Sequence, residues 1–138
     1  MSWLSPTGYA FTAVDICDPT PTNTLSIYSN EPDAGLNPNP AFMPDTALSL
    51  LPLNLRLRAE RDWPVPGAGR LYVIVTNSVD SSGNRGVGCV TAIVPTIPTA
   101  QTIMALQATA AAAQAVCLAS PTDVAPIQAT NPLLFGAP

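Results

Sequence analysis

Sixteen prolines cut the 138-residue chain into short pieces. Proline has no amide hydrogen and a fixed φ, which bars it from helix interiors and central strands. Regular structure must therefore fit between the prolines. The longest proline-free runs are 67–94 and 99–120, with shorter ones at 7–18, 22–31 and 53–63. A coiled coil, which needs long charged heptads without proline, is excluded. The length suits about one domain.

Several of these windows read as strands. Leu53, Leu55, Leu57 and Ala59 alternate with Asn54, Arg56 and Arg58, the period-two pattern of a half-buried strand. Residues 71–76, Leu-Tyr-Val-Ile-Val-Thr, form a continuous β-rich run, as expected of a strand buried on both faces. In 87–94, Val87, Cys89, Thr91 and Ile93 oppose Gly88, Val90, Ala92 and Val94. Between these two runs lies Asp80-Ser81-Ser82-Gly83-Asn84, a turn sequence, so 70–94 is expected to be a β-hairpin. Weaker strands are expected at 8–16 and 23–29. Short strands separated by Pro, Gly and Asn turns point to an all-β sandwich.

The last third differs. Residues 99–119 are rich in Ala, Leu, Met and Gln, carry no charge, and follow Pro98, with Thr99 placed to cap a helix. The run is long enough to cross a membrane, but its Gln and many Ala make it too weakly apolar for insertion to be expected. Residues 121–138 hold four prolines and end on Leu133-Leu134-Phe135, which reads as an extended arm. The expected organisation is a β-sandwich over 1–96 and a helix plus arm over 97–138.

Charge narrows the function. Charged residues make up only 10% of the chain, against the roughly 25% of an ordinary domain. There are five Arg, no Lys and a net charge of −4, which excludes a nucleic-acid footprint. Histidine is absent, so no His base, ligand or pH switch operates. Hydrophobic residues at 47% separate the chain from low-hydrophobicity disordered sequences. Lacking Lys, the chain lacks the usual guard of exposed strand edges, which favours life in an assembly over solubility through Ser, Thr and Asn. Met1–Asp15 has neither a basic residue nor a continuous apolar core, so no secretory signal is expected there unless one has been removed.

Catalysis finds little footing. No Gly-x-Ser-x-Gly follows a strand, and Gly67-Ala68-Gly69 is too short for a phosphate loop. Glu31 and Glu60 are conceivable as a glycosidase pair, but a structural role explains them better. Cys17, Cys89 and Cys117 form no Cys-x-x-Cys, so zinc-ribbon and thioredoxin-like readings fall away. Three cysteines allow one disulfide and one thiol left over.

Six segments in order carry a resemblance. They are Asp15-Ile16-Cys17-Asp18-Pro19, Ser29-Asn30-Glu31-Pro32, Leu57-Arg58-Ala59-Glu60-Arg61, Gly69-Arg70-Leu71-Tyr72, Asp80-Ser81-Ser82-Gly83-Asn84 and Val94-Pro95. Together, with Trp3 and Pro6 standing for an opening Trp-Pro, residues 3–95 resemble bacterial extracellular Ig-like repeats related to hyalin-repeat and fibronectin type III sandwiches. Thr96 stands where the family often has His, and 36–52 is richer in Pro and Leu. The resemblance implies a β-sandwich serving as stalk, spacer or adhesive module outside the cell, without catalysis. It also implies a disulfide between Cys17 and Cys89, closing a loop of about 70 residues and stabilising by up to ~4 kcal/mol in the loop-entropy model; two buried thiols are the alternative. Cys117 is then left buried in the helix or available to a neighbour.

The residues suggest further roles. Arg56, Arg58 and Glu60 share a face, which reads as an exposed cross-strand ion pair worth about 0–1 kcal/mol, or less readily as a site for acidic sugars. Asp80 and Asn84 bracket a turn that Asp80 would close by accepting backbone N–H bonds. The rival reading is a calcium site completed by Asp15, Asp18, Glu31 or Asp33, although calcium needs 6–8 oxygens and these carboxylates are scattered. Trp3, Tyr9, Tyr28 and Trp63 suit a core better than a carbohydrate-stacking surface.

Two functions follow as expectations. The first is a non-enzymatic subunit of a repetitive extracellular or virion assembly, without cofactor, in which Cys117 and the Leu133, Leu134 and Phe135 arm contact a neighbouring copy, by strand addition to a sheet edge. The second is a monomeric cell-surface adhesion or carbohydrate-binding module.

Overall fold

The computed structural model describes residues 3–4, 16, 20–30, 46–50, 53–59, 67–119 and 135–136. In chain order its elements are β1 (Trp3–Leu4), β2 (Thr22–Ser29), β3 (Thr46–Leu50), β4 (Leu53–Arg58), β5 (Gly69–Val79), β6 (Arg85–Pro95), α1 (Ala100–Ala119) and β7 (Phe135–Gly136). The chain is β-rich with one C-terminal helix. The strands form two antiparallel sheets among the described residues, ordered β1-β4-β3 and β6-β5-β2-β7.

The expected hairpin is present. Arg70 pairs with Val94 and Val79 with Arg85 across β5 and β6, and 80–84 form the loop. The strands expected at 53–59 and 23–29 appear as β4 and β2. The strand expected at 8–16 lies outside the described residues. β3 was not foreseen: Thr46–Leu50 is a five-residue piece confined between Pro44 and Pro52, too short to stand out, yet it pairs with β4 from Thr46↔Leu57 to Leu50↔Leu53.

β5 is covered on both sides. Leu71, Val73 and Val75 point one way, into a cluster with Cys89 of β6 and Ala110, Ala113 and Cys117 of α1. Tyr72 and Ile74 point the other way, into a cluster with Ile27 of β2 and Leu55 and Leu57 of β4. Because successive side chains of a strand alternate faces, this double burial explains why the run lacks the polar alternation of β4. Residues 71–74 have between 0% and 1% of their surface exposed.

Polar bonds fix the layers in register. The Arg70 guanidinium donates from Nη1 to the Tyr72 hydroxyl at 3.0 Å and lies 5.8 Å from the ring centroid. That hydroxyl in turn donates to the Arg58 carbonyl at 3.0 Å, joining β5 to β4 across the core. Asn30 continues the β2–β5 ladder with its side chain: Nδ2 donates to the Gly69 carbonyl at 3.0 Å and Oδ1 accepts from Leu71 N at 2.7 Å. Gly69 allows close approach where β5 begins. A Cβ there would run into the Val94 carbonyl oxygen and lie 2.6 Å from Leu106 Cδ1.

Thr99 caps α1 as expected. Its Oγ1 accepts from Thr102 N at 3.2 Å, and Thr99 N donates to Thr102 Oγ1 at 3.2 Å, a reciprocal arrangement like a capping box. The helix buries Leu106, Ala110, Ala113 and Cys117. Their spacing of four, three and four keeps one stripe against the second sheet.

Tyr72→Phe removes the shared hydroxyl and leaves a buried acceptor and donor each short of one bond. It is expected to destabilise the protein by about 1–3 kcal/mol. Urea denaturation should show a lower midpoint at unchanged slope.

Candidate functional site

The second sheet has two edges, and the chain treats them differently. β6 forms one edge among the described residues and is covered from above by α1. Two side chains of the helix hold Cys89 at the middle of β6. Cys117 is joined to it by a disulfide, with Cα atoms 6.2 Å apart. Gln114 donates from Nε2 to the Cys89 carbonyl at 2.8 Å. The helix is thus latched to the sheet by a covalent bond and a hydrogen bond one turn apart.

This corrects two expectations about the cysteines. Cys89 is bonded to Cys117, not to Cys17, and Cys117 is no longer a thiol offered to a neighbour. The physical reason is the helix. Packing its small-residue stripe on β6 brings position 117 within disulfide reach of position 89, a proximity that strand positions alone could not reveal. Cys17 lies outside the described residues.

At the other edge, the end of the chain forms β7. Phe135 pairs with Ser29 and Gly136 with Tyr28. β7 covers only the last two residues of the eight-residue β2, whose earlier residues Thr22–Ile27 have no further strand beside them among the described residues. Of the three arm residues expected to make contacts, Phe135 is in this strand, while Leu133 and Leu134 lie outside the described residues.

No charge occurs between Arg85 and Asp123. The face of α1 turned away from the sheet exposes Met104 (68%) and Leu118 (51%), and β6 exposes Val90 (44%). By length and hydropathy alone α1 would suit a membrane span, but in the fold it lies along the sheet.

Other expected site residues take structural places. Asp80 closes its turn: Oδ1 accepts from Ser82 N at 2.9 Å and Asn84 N at 2.7 Å, and Oδ2 accepts from Asn84 Nδ2 at 2.6 Å. Gly83 takes a φ of 86° there. With both carboxylate oxygens accepting from N–H donors, Asp80 and Asn84 hold the turn. No cluster of three or more potential metal ligands occurs among the described residues. Asp15, Asp18, Glu31, Asp33 and Glu60 lie outside them. Arg56 is exposed as expected, but Arg58 is 1% exposed. It sits at the end of β4 where β1 pairs alongside, Trp3 opposite Arg58. The alternation of β4 predicts the face and not the cover. Tyr28 is partly buried and packs against the core cluster of Leu71, Val73 and Val75; Tyr9 and Trp63 lie outside the described residues, and of Trp3 only the backbone is described.

No family model, curated protein or solved structure matches this chain.

The cysteine pairing can be checked chemically. All five Arg lie at or before position 85, so trypsin leaves Cys89 and Cys117 on one peptide, 86–138, and Cys17 on another, 1–56. A non-reduced digest is expected to give 86–138 alone, lighter by two hydrogens. A linked pair of 1–56 and 86–138 would instead show Cys17 bonded to Cys89 or Cys117 and overturn the Cys89–Cys117 pairing. Reduction opens a link between residues 28 apart, which corresponds to about 3–4 kcal/mol in the loop-entropy model. Tm should fall accordingly on adding a phosphine reductant.

Proposed function

We propose that this protein is a non-enzymatic structural subunit of a repetitive extracellular or virion assembly, built on an Ig-like β-sandwich. Three features support the sandwich: two antiparallel sheets, a core shared by Ile27, Leu55, Leu57, Tyr72 and Ile74, and the bond from Tyr72 on one sheet to the Arg58 carbonyl on the other. A disulfide suits an oxidising compartment.

The observation that carries the assembly reading is β7. The C-terminal arm adds a strand to the open edge of a sheet, the contact by which extended segments recognise sheet partners. The surroundings agree: no Lys guards the edges, and apolar side chains stand exposed on α1 and β6. A monomeric carbohydrate-binding module gains no such support, since Tyr28, the candidate stacking residue whose side chain is described, is packed partly buried against the core cluster.

Light scattering over a concentration series tests this. Particles well above 14.3 kDa are expected. Deleting residues 131–138 removes β7 while leaving α1 and its disulfide in place, and is expected to abolish the particles without changing the circular dichroism spectrum. A 14.3 kDa monomer at every concentration would sink the reading.

A further inference from the structure

We infer that the strand Phe135–Gly136 is exchanged between copies: in the assembly it adds to β2 of a neighbouring molecule, opposite that molecule's Tyr28 and Ser29, and the copies join head to tail. The inference rests on the assembly reading and specifies its contact.

The arm is anchored at one side of the sheet and lands at the other. α1 is latched to β6 through Cys117 and Gln114, and β6 is one edge of the sheet. β7 lands on β2, at the opposite side of the order β6-β5-β2-β7. Donor anchor and acceptor strand thus sit on opposite sides of one sheet. Within one molecule the connection must cross three strand spacings, about 14 Å. Fifteen residues, 120–134, join α1 to β7, and such a length can span up to about 50 Å. That is far more than the crossing requires and enough to reach another copy.

The contact transfers without loss. Backbone pairing at Tyr28 and Ser29 is the same whether the strand comes from its own chain or an identical one, which is the basis of strand exchange. Two paired residues hold β7 weakly, so opening is cheap. Tethered through fifteen residues, the arm meets its own edge at an effective concentration of the order of mM at most. Exchange therefore wins where copies are crowded edge to edge. Passed from each copy to the next, the exchange gives a ring or a filament; returned between two copies it would close a dimer, which the ladder of multimers described below distinguishes.

Cysteine trapping decides between the two routings, using the full chain with Cys17→Ser to remove the third cysteine. One population carries Ser29→Cys and a second, size-tagged one carries Phe135→Cys; they are mixed, concentrated until light scattering reports particles, and oxidised. A covalent heterodimer as the main product is expected, and the chain carrying both substitutions should give a ladder of multimers on a non-reducing gel. If particles form but the doubly substituted chain closes on itself as a monomer and the mixture stays uncrosslinked, exchange is overturned while assembly stands. If no particles form in the wild-type chain at any concentration, both readings fail together. Should the Ser29 variant not fold, Tyr28→Cys with Gly136→Cys traps the same contact through the neighbouring pair.

Discussion

The double-sided burial of β5 is the constraint from which the other layers follow. A strand with Leu71, Val73 and Val75 on one face and Tyr72 and Ile74 on the other cannot leave either face in water. Burying one large apolar side chain contributes about 1.5–3 kcal/mol, so each face must be covered by something. The first sheet covers one face with Leu55 and Leu57. The helix covers the other with Leu106, Ala110, Ala113 and Cys117. Seen this way, α1 is no appendage to a finished domain. It is the third layer of the core, and its alanines suit the role because small side chains let a helix lie close to a sheet.

The latch on Cys89 follows from that layering. A helix with no charge and an apolar outer face has little to orient it in water or to set its position along a sheet. Apolar contacts alone are non-directional. The disulfide at Cys117 and the hydrogen bond from Gln114 supply direction, since both have fixed lengths and both end on one residue of β6. The reciprocal Thr99–Thr102 cap fixes where the helix starts. Start, register and contact face are thus set by different chemistry, which a nearly uniform alanine sequence could not do by itself.

How much of this could be read from the sequence depended on range. Local signals were reliable: the unbroken run at 71–76, the turn at 80–84, the alternation at 53–58 and the cap at Thr99 each express an interaction made within a few residues. Signals that depend on what lies alongside were not. Arg58 obeys its alternation yet is buried, and nothing within a few residues of it announces that cover. Cys89 has two possible partners in sequence, and only the packing of α1 selects Cys117. β3 is a strand because β4 pairs with it, and its five residues between prolines say little alone. For the proposed site, apolar arm and unguarded edges were visible, but the acceptor was not, since the choice of β2 is a property of the sheet order.

That choice bears on how a chain without Lys keeps its edges from indiscriminate pairing. A lysine on an edge strand works by charge and discourages every approaching strand alike. Here the devices are of another kind. On β6, Gln114 occupies the carbonyl of Cys89 and α1 stands over the strand. On β2, the guard is a strand, Phe135–Gly136. That strand excludes foreign strands from Tyr28 and Ser29 as long as it stays, and its departure exposes backbone groups that the same strand of another copy can pair in the same way. In the proposed assembly such a guard gives way to the same strand of another copy, whereas a charged edge would discourage that copy along with every other strand.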